Sequence, residues 1–377
     1  ETRNFYPILN SAQSIAINRD DLAYTDYDRH STIETGMLYV QDQFDIIPDV
    51  LRLDAGLTWF SVTYRARSPL EYQNLVRFTQ TSGVNPKVGV GLKPVEGLEF
   101  FAGYAQNFAG IPEDAFLGSN SAINPGDLTP IETENMDVGV RFTTDHLALS
   151  LQGYYTRLKN NIGTVPIAIS GVDPDEIIRG NVATRAANIA GTKSKGIEAT
   201  AIVDYDWINF YLAYSYQDAK HDNPPAGSAD RAELAAVGVI GGARVRDIPR
   251  HSLFGQIELK PIKGASVQFS GRYVGRRVGA HLIQPTTNAE RGIEYLPDHT
   301  VFGVNASYDF GDTGPFRELK FQLNVDNLFN EKYIGAVSSS TATLPDFGLA
   351  GAGTLPTLDR YFIGAPRTFT ASLRARF

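Results

Sequence analysis

The sequence predicts an all-β protein that crosses a membrane as an antiparallel up-and-down β-barrel. Three observations support this fold class. Apolar and polar residues alternate strictly over segments of ten or more residues, which is typical of strands with one apolar and one wet face. The connections between these segments alternate between tight turns and long stretches. The longest apolar runs reach about ten residues, roughly half of what a spanning helix needs, so a helical membrane protein is excluded.

The alternating segments predict about thirteen strands. In the second of them, an apolar set alternates with polar or small residues: Leu51, Leu53, Ala55, Leu57 and Trp59. A period of two places one set of side chains on each face of a strand. The predicted strands are residues 33–45, 49–66, 85–93, 97–108, 132–143, 146–159, 194–204, 207–218, 248–260, 264–276, 299–311, 317–329 and 366–377.

The connections predict the topology. Tight turns are expected at residues 46–49, 94–97, 143–146, 204–207, 261–264 and 311–316. The connections between them span roughly 18 to 37 residues and are rich in Gly, Pro, Asn, Ser and Asp, lengths that are rare in compact soluble domains. Because tight and long connections alternate, all tight turns lie at one edge of the sheet and all long loops at the other. This arrangement is typical of an outer-membrane barrel with short periplasmic turns and long extracellular loops.

Aromatic residues are predicted to mark both membrane interfaces. The set nearer the long loops is Trp59, Tyr104, Tyr155, Tyr216 and Tyr273, and the set nearer the tight turns is Phe44, Phe142, Phe310 and Phe377. The alternative is a large soluble β-sandwich or β-solenoid in which these rings are ordinary core residues. A solenoid would show a fixed repeat, and the spacing of these segments varies too much for one.

An odd strand count indicates part of a larger barrel. Bacterial single-chain barrels have even counts and no free edges, because an unpaired backbone group facing lipid costs several kcal/mol. We therefore expect residues 1–377 to form a single domain, the carboxy-terminal portion of a β-barrel, with residues 1 to about 32 as the end of an extracellular loop. The initial segment ETRNFYPILN lacks the features of a signal peptide, so the sequence is expected to begin at a mature or internal point.

Composition and motifs argue against several other functions. The formal net charge of −8 argues against binding to nucleic-acid phosphates. The absence of Cys excludes disulfides, thiol nucleophiles and Cys-based zinc sites. The 6 His are scattered, without the spacing of a metal site. The acidic run at residues 173–176 could bind Ca²⁺ but lacks the regular ligand spacing of a calcium loop. The acidic residues between positions 20 and 28 are interpreted as solvated surface. We predict no enzyme activity, no cofactor and no metal site.

Seven segments carry recognisable motifs. The strongest is FQLNVDNLFNEKYIG (Phe321–Gly335), with an N-V-x-N-L-F-x-x-x-Y block. The others are GAPRTFTASLRARF (Gly364–Phe377), ETGMLYVQDQF (Glu34–Phe44), LEFFAGYAQNFAGIP (Leu98–Pro112), IETENMDVGVRF (Ile131–Phe142), SKGIEATA (Ser194–Ala201) and IPRHSLFGQIEL (Ile248–Leu259). In this order and spacing they resemble the TonB-dependent outer-membrane receptors, from about Thr32 to Phe377.

The resemblance implies about 22 strands, a globular plug inside the barrel and a short segment that contacts TonB, of which about nine strands, the plug and the TonB box lie outside this sequence. It implies TonB-coupled uptake of a scarce nutrient across the outer membrane of a Gram-negative bacterium, with ferric siderophore as the commonest cargo. Cobalamin, haem and oligosaccharides stay open, as does a passive porin or structural barrel. The predicted partners are outer-membrane lipid and lipopolysaccharide, the TonB energy-coupling complex and a small-molecule ligand.

Within the strongest motif, Asn327 and Asn330 are turn-prone residues at a strand exit, and Leu328, Phe329 and Tyr333 can anchor that exit at the interface. This structural interpretation is favoured over ligand contact. The alternating apolar residues from Phe369 to Phe377 fit both a lipid-facing strand and a signal for the barrel-assembly machinery.

Basic residues near the long loops are the candidate ligand contacts. Guanidinium groups suit an anionic ligand such as a ferric siderophore, because they offer paired donors that do not deprotonate. The candidates are Arg65, Arg67, Arg244, Arg246, Arg276, Arg277 and Tyr273. Binding of lipopolysaccharide phosphates and pairing with loop carboxylates are the alternatives for each Arg. Aromatic residues in the loops, Phe108, Phe116, Tyr295 and Phe347, are candidates for stacking on ligands or for packing loop against loop.

Overall fold

A computed structural model describes residues 3–4, 23–24, 30–68, 72–111, 128–166, 184–223, 239–283, 290–340 and 358–376. Within these ranges, every regular element of secondary structure is a β-strand. They are β1 (Arg3–Asn4), β2 (Ala23–Tyr24), β3 (His30–Ile47), β4 (Leu51–Ser68), β5 (Tyr72–Thr81), β6 (Asn85–Val95), β7 (Leu98–Ala109), β8 (Ile131–Thr143), β9 (Leu147–Lys159), β10 (Ile162–Pro166), β11 (Thr184–Asn188), β12 (Thr192–Tyr205), β13 (Ile208–His221), β14 (His251–Leu259), β15 (Ala265–Val274), β16 (Arg277–Ile283), β17 (Glu290–Leu296), β18 (His299–Thr313), β19 (Phe316–Asp326), β20 (Ile334–Ser340), β21 (Leu358–Ile363) and β22 (Thr368–Arg376).

Fourteen of these strands form one antiparallel sheet. Its hydrogen-bonded order is β22-β19-β18-β15-β14-β13-β12-β9-β8-β7-β6-β4-β3, and β5 pairs with β4 beside this path. The thirteen strands of the path correspond to the thirteen predicted strands, with ends that differ by at most three residues. The predicted all-β, antiparallel, up-and-down arrangement is therefore confirmed.

The strand β5 was not predicted, because the stretch between β4 and β6 reads as a long loop. The 18-residue β4 pairs twice, with β6 over its first half and with β5 over its second half. Buried Ser82 joins the two partners: its backbone N–H donates to the Phe60 carbonyl at 2.9 Å, and its hydroxyl accepts from the Phe60 N–H at 2.9 Å. The Asn85 amide adds a bond to the Thr58 carbonyl at 3.2 Å. The apparent loop is thus an interrupted strand that extends the sheet.

The six tight turns lie where they were expected. Two of them require glycine in the left-handed region, Gly97 with φ of 76° and Gly264 with φ of 85°. A side chain at either glycine would strike a backbone carbonyl of the neighbouring turn. The same neighbours are hydrogen-bonded, since the N–H of Thr143 donates to the Gly97 carbonyl at 2.8 Å and that of Asp309 to the Gly264 carbonyl at 2.7 Å. Adjacent turns therefore lock together along one edge of the sheet.

The long connections carry small hairpins of their own. Within the described residues, β10 pairs with β11, β16 with β17 and β20 with β21. In the segment expected to end an extracellular loop, β1 pairs with β2, and most of its other residues lie outside the described ranges.

The packed cores lie at this long-connection edge. One contains Tyr64, Ile111, Leu128 and Ala186, and Tyr64 also stacks on Phe78 with ring centroids 4.8 Å apart. The other core is formed by Ala187, Ala190 and Val239. These clusters fix the bases of the long connections onto the sheet.

Strands β3 and β22 end the sheet path, so each has one sheet neighbour among the described residues. The total of about 22 strands and the closure of a barrel stay predictions. In the described part of the chain, no helix is long and apolar enough to cross a membrane.

Candidate functional site

One face of the sheet is apolar. A single row of paired residues crosses eight strands on this face: Leu53, Val90, Ala102, Val138, Gly153, Ile197, Tyr216 and His251. Large apolar side chains stand exposed here, including Val138 at 62%, Leu151 at 50% and Leu373 at 68%. An apolar surface of this extent fits contact with hydrocarbon. We call it the outer face.

The opposite, inner face is polar. The Arg141 guanidinium lies 3.8 Å from the Glu99 carboxylate and 4.2 Å from the centre of the Phe101 ring. Further along the sheet, the Gln152 amide donates to the Glu198 carboxylate at 2.7 Å. A concavity of about 930 Å³ opens beside Arg141 near the tight turns. Alternation of apolar outer and polar inner residues matches the wall of a membrane barrel with a polar lumen.

The aromatic residues predicted at the interfaces follow the outer-face alternation. Tyr104 and Tyr155 both pair with Met136 in one row, and Tyr216 pairs with His251. Phe44, Trp59 and Phe142 occupy outer-face register positions, Phe310 packs edge-on against Tyr308 at 4.7 Å, and Phe377 lies outside the described residues. Their location at the two membrane interfaces stays a prediction, which the shared face supports.

Two candidate ligand residues belong to the outer face rather than the lumen. Arg65 follows the outer-face alternation of β4, and its guanidinium lies 3.2 Å from the Glu34 carboxylate. Tyr273 pairs with Leu253 on the outer face. The side chain of the third candidate in this region, Arg67, lies outside the described part of the structure. The register therefore favours a rim position for Arg65 and an interface position for Tyr273.

Arg277 is a buried clamp between connections. It is 4% exposed, and one terminal nitrogen donates to the Asp247 carboxylate at 2.8 Å and to the Gly335 carbonyl at 2.9 Å. The other donates to the Ile334 carbonyl at 2.6 Å. A buried charge needs such partners to offset its desolvation. Because these donors are engaged, Arg277 is placed to hold β16, β20 and the segment before β14 together.

Three other candidates lie beside this clamp. The backbone of Arg244 bridges to β13, and the Arg246 side chain donates to the Gly279 carbonyl at 2.6 Å. Exposed Arg276 lies 3.9 Å above the centre of the Tyr295 ring, a cation–π contact. The structure thus brings Arg244, Arg246, Arg276 and Arg277 together at the long-connection edge.

Arg272, the neighbour of Tyr273, was not among the candidate residues predicted from the sequence. Arg272 pairs with Phe254 and Val301, which places it on the inner face, and its side chain is exposed. It is therefore a cation on the inner face, at the end of β15 that lies nearer the long connections. Strict application of the two-residue period along β15 would have selected it.

The strongest sequence motif builds a strand exit. Asn327 is 3% exposed and has a φ of 51°. Its amide nitrogen donates to the carbonyls of Glu331 at 2.8 Å and Ala365 at 2.9 Å, and its oxygen accepts from the Glu331 N–H at 2.8 Å. The Asn330 side-chain oxygen accepts from the Arg367 N–H at 3.1 Å. These bonds tie the end of β19 to the segment before β22 and support the structural interpretation of both Asn residues.

Among the described side chains, no group of three or more His, Asp and Glu could hold a metal ion. The acidic runs at residues 20–28 and 173–176, together with Phe116 and Phe347, lie outside the described residues. Phe108 stacks against Phe60 with ring centroids 6.5 Å apart, which fits packing within the sheet.

Solved structures of a transporter and of two receptors share this fold. The ferric citrate transporter FecA in the unliganded form is 15% identical with a TM-score of 0.63, covering 92% of this chain and 45% of FecA. The siderophore receptor PiuA from Acinetobacter baumannii is 19% identical with a TM-score of 0.62, covering 92% of this chain and 43% of PiuA. The ferric yersiniabactin uptake receptor FyuA from Yersinia pestis is 13% identical with a TM-score of 0.61, covering 95% of this chain and 48% of FyuA. The chain therefore spans less than half the length of these proteins.

A family model adds the evidence for kinship. Among functionally curated proteins, none matches the chain by sequence. The model described as TonB dependent receptor-like, beta-barrel matches residues 2–328, which is most of the chain. Members of this family are receptors and transporters rather than enzymes. The chain therefore belongs to the TonB-dependent receptor family as a part of its β-barrel, and it is a protein of the outer membrane of a Gram-negative bacterium.

Proposed function

We propose that this chain is the carboxy-terminal portion of a receptor that imports a scarce nutrient by TonB-coupled transport, and that the cargo is a ferric siderophore or a similar anionic iron chelate. Residues 1–377 act as one domain, part of the barrel wall. Ligand is captured at the long-connection edge and the upper inner face, and TonB is engaged through segments outside this sequence.

The observation that carries the proposal is the collection of cations at one end of a polar inner wall. Arg272 lies on that wall, and Arg244, Arg246 and Arg276 lie at the adjoining bases of the connections. Guanidinium groups bind carboxylate and catecholate-type oxygens with charge-assisted hydrogen bonds. The tyrosine under Arg276 also offers a flat ring for stacking. The outer face, by contrast, is occupied by lipid.

The named solved neighbours support a chelated metal as the cargo class. They comprise a ferric citrate transporter, a siderophore receptor and a ferric yersiniabactin uptake receptor. At 13% to 19% identity, these neighbours share the fold of this chain, and the cargoes in their names motivate the proposed class. The choice among chelates depends on the loops of this chain.

The first test compares a lumenal cation with an outer-face cation. Arg272→Gln removes a charge at the inner wall and is expected to weaken chelate binding by about 1.5–3 kcal/mol, at least about tenfold. The matched control is Arg65→Gln, which removes a guanidinium that is paired with Glu34 outside the lumen, and it is expected to leave the affinity unchanged. Binding is measured by titration of ferric chelates into the purified receptor. Equal loss in both variants would contradict the lumenal site.

The second test addresses cargo and coupling. A strain without the receptor is grown on single ferric chelates under iron starvation, and uptake of labelled chelate is compared in cells with and without TonB. The proposal expects loss of growth on at least one chelate and loss of uptake without TonB. Uptake that persists without TonB would indicate a passive barrel. A growth defect only on a glycan, on cobalamin or on haem would show that this nutrient, and not an iron chelate, is the cargo.

A further inference from the structure

A basic recess lies on the outer face, just above the aromatic residues of β9 and β13. The register pairs Lys195 with Tyr155 and Asp218, and the next row pairs Lys193 with Arg157 and Lys220. A hollow of about 340 Å³ is lined by Lys193, Lys195 and Lys220 together with Tyr155, Asp218 and Asp222. These side chains follow the same alternation as the lipid-facing residues below them, so the recess looks outward and not into the lumen.

The recess has more cations than its carboxylates can neutralise. Asp222 is shared by Arg157 at 2.8 Å and Lys193 at 2.7 Å. Asp218 is shared by Lys220 at 3.6 Å and Arg250 at 3.7 Å. Exposed Lys195 has no carboxylate within ion-pair distance among the described side chains. Three lysines and two carboxylates line the recess, and each carboxylate is also paired with an arginine beside it, so the recess keeps a net positive charge.

An apolar groove begins at the foot of the recess. It has a volume of about 470 Å³, shares Tyr155 and Lys195 with the recess, and is lined by Val138, Gly153 and Ile197. A second groove of about 450 Å³ continues two residues further down the strands, lined by Leu151, Ala199, Ala201 and other apolar residues. Glycine and alanine form the floor, and larger side chains form the walls. The outer face thus presents a positively charged recess that can hold a lipid head group, with an apolar groove beneath it that can hold an acyl chain.

We propose that this surface binds a phosphorylated glycolipid of the outer leaflet, of the lipid A type, with its phosphates in the basic recess and an acyl chain in the groove. Lysine and arginine at the membrane surface attract anionic lipid head groups, and amphipathic tyrosines favour the interface beneath them. The inference rests on the outer-membrane location and the outer-face geometry, and it is independent of the cargo and of TonB coupling.

The test uses the receptor purified from outer membranes and exchanged into detergent. Lipid A is titrated into it, and the bound fraction is measured by native mass spectrometry. Lys195→Gln/Lys220→Gln removes two recess cations and leaves both Asp222 pairs intact. At about fivefold per cation, the affinity for lipid A is expected to fall about 25-fold. The matched control is Lys93→Gln/Lys263→Gln, two exposed lysines beside the tight turns, which is expected to bind as the parent does. The heat-dependent shift in gel mobility verifies that each variant is folded.

A third variant tests the groove separately. A Cβ atom added at Gly153 meets nothing closer than 3.8 Å. The groove therefore has room at this position, and Gly153→Val is chosen to fill it. It is expected to weaken lipid A binding while both Asp222 ion pairs are retained. The proposal is overturned if dephosphorylated lipid A or phosphatidylglycerol binds as tightly as lipid A, if inorganic phosphate competes at equal concentration, or if the recess variant and the tight-turn control bind alike.

Discussion

Two neighbouring residues on β9 provide a direct prediction about the faces of the sheet. Leu151 lies on the outer face, 50% exposed, in the row formed by Val140 and Ala199. Gln152 lies on the inner face, hydrogen-bonded to Glu198. Replacing each with arginine introduces the same charge at almost the same height, so the two variants differ mainly in which face receives it.

The expected cost follows from the depth of the residue. Leu151 is four residues from Tyr155, roughly 13 Å along the strand and about 10 Å below that ring at a tilt of about 40°. Because the apolar band of such barrels is about 25 Å tall, Leu151 lies near its middle, where arginine costs about 2–4 kcal/mol. We expect Leu151→Arg to lower the free energy of unfolding by about 3 kcal/mol. Gln152→Arg faces a polar lumen and the Glu198 carboxylate, and its cost is expected to stay below about 1 kcal/mol.

The assay is urea unfolding of the protein in lipid vesicles, followed by the fluorescence of its 2 Trp residues. Differences in unfolding midpoint at an unchanged slope report the change in stability. A Gln152→Arg variant that is destabilised as much as Leu151→Arg would refute the assignment of the faces.

Three further predictions concern the strand exit, the rim and the tight turns. Asn327→Ala removes three hydrogen bonds at a buried site and is expected to cost about 2–3 kcal/mol in the same unfolding assay, whereas an unchanged midpoint would contradict the capping role. Burial raises the pKa of the Asp222 carboxyl, but hydrogen bonds from Lys193 and Arg157 outweigh burial, so its pKa lies below the ordinary value. Its contribution to stability is therefore present above about pH 4 and is lost as the pH falls through the folded pKa, and Asp222→Asn should flatten this part of a stability–pH curve. Gly97→Ala, at a φ of 76° and against a neighbouring carbonyl oxygen, is expected to cost more than about 1 kcal/mol, and a neutral effect would show that the turn relaxes freely.

Most of the sheet could be predicted from the sequence because one physical signal governs it. A lipid-facing strand must alternate apolar and polar residues along its length, and the thirteen predicted strands follow that alternation. The tight turns could be predicted equally well, because residues such as Gly97 and Gly264 must adopt positive φ where two turns approach. The strand β5 was missed because its segment, YQNLVRFTQT, does not alternate apolar and polar residues strictly.

The candidate site was less predictable, because it depends on which face a residue occupies and on contacts between distant segments. Arg65 and Tyr273 were selected by proximity to loops, yet their register is that of the outer face. Arg272 was missed although it is adjacent to Tyr273. The clamp between Arg277 and Asp247 joins residues 30 positions apart, and no local pattern marks it. Applying the two-residue strand period to the candidate residues would have assigned each of them to the inner or outer face. It would not have predicted the contact between Arg277 and Asp247.

The central claim is that alternate residues of each strand meet lipid and lumen, and single-cysteine scanning along β9 tests it most directly. The chain has no native Cys, so each position from 147 to 159 can be replaced in turn and spin-labelled. Collision rates with oxygen and with a water-soluble nickel chelate are then measured in bilayers. We expect oxygen access to peak at positions 149, 151 and 153 and nickel access to peak at 150, 152 and 154. Profiles without a two-residue period, or with the two probes in phase, would contradict the account.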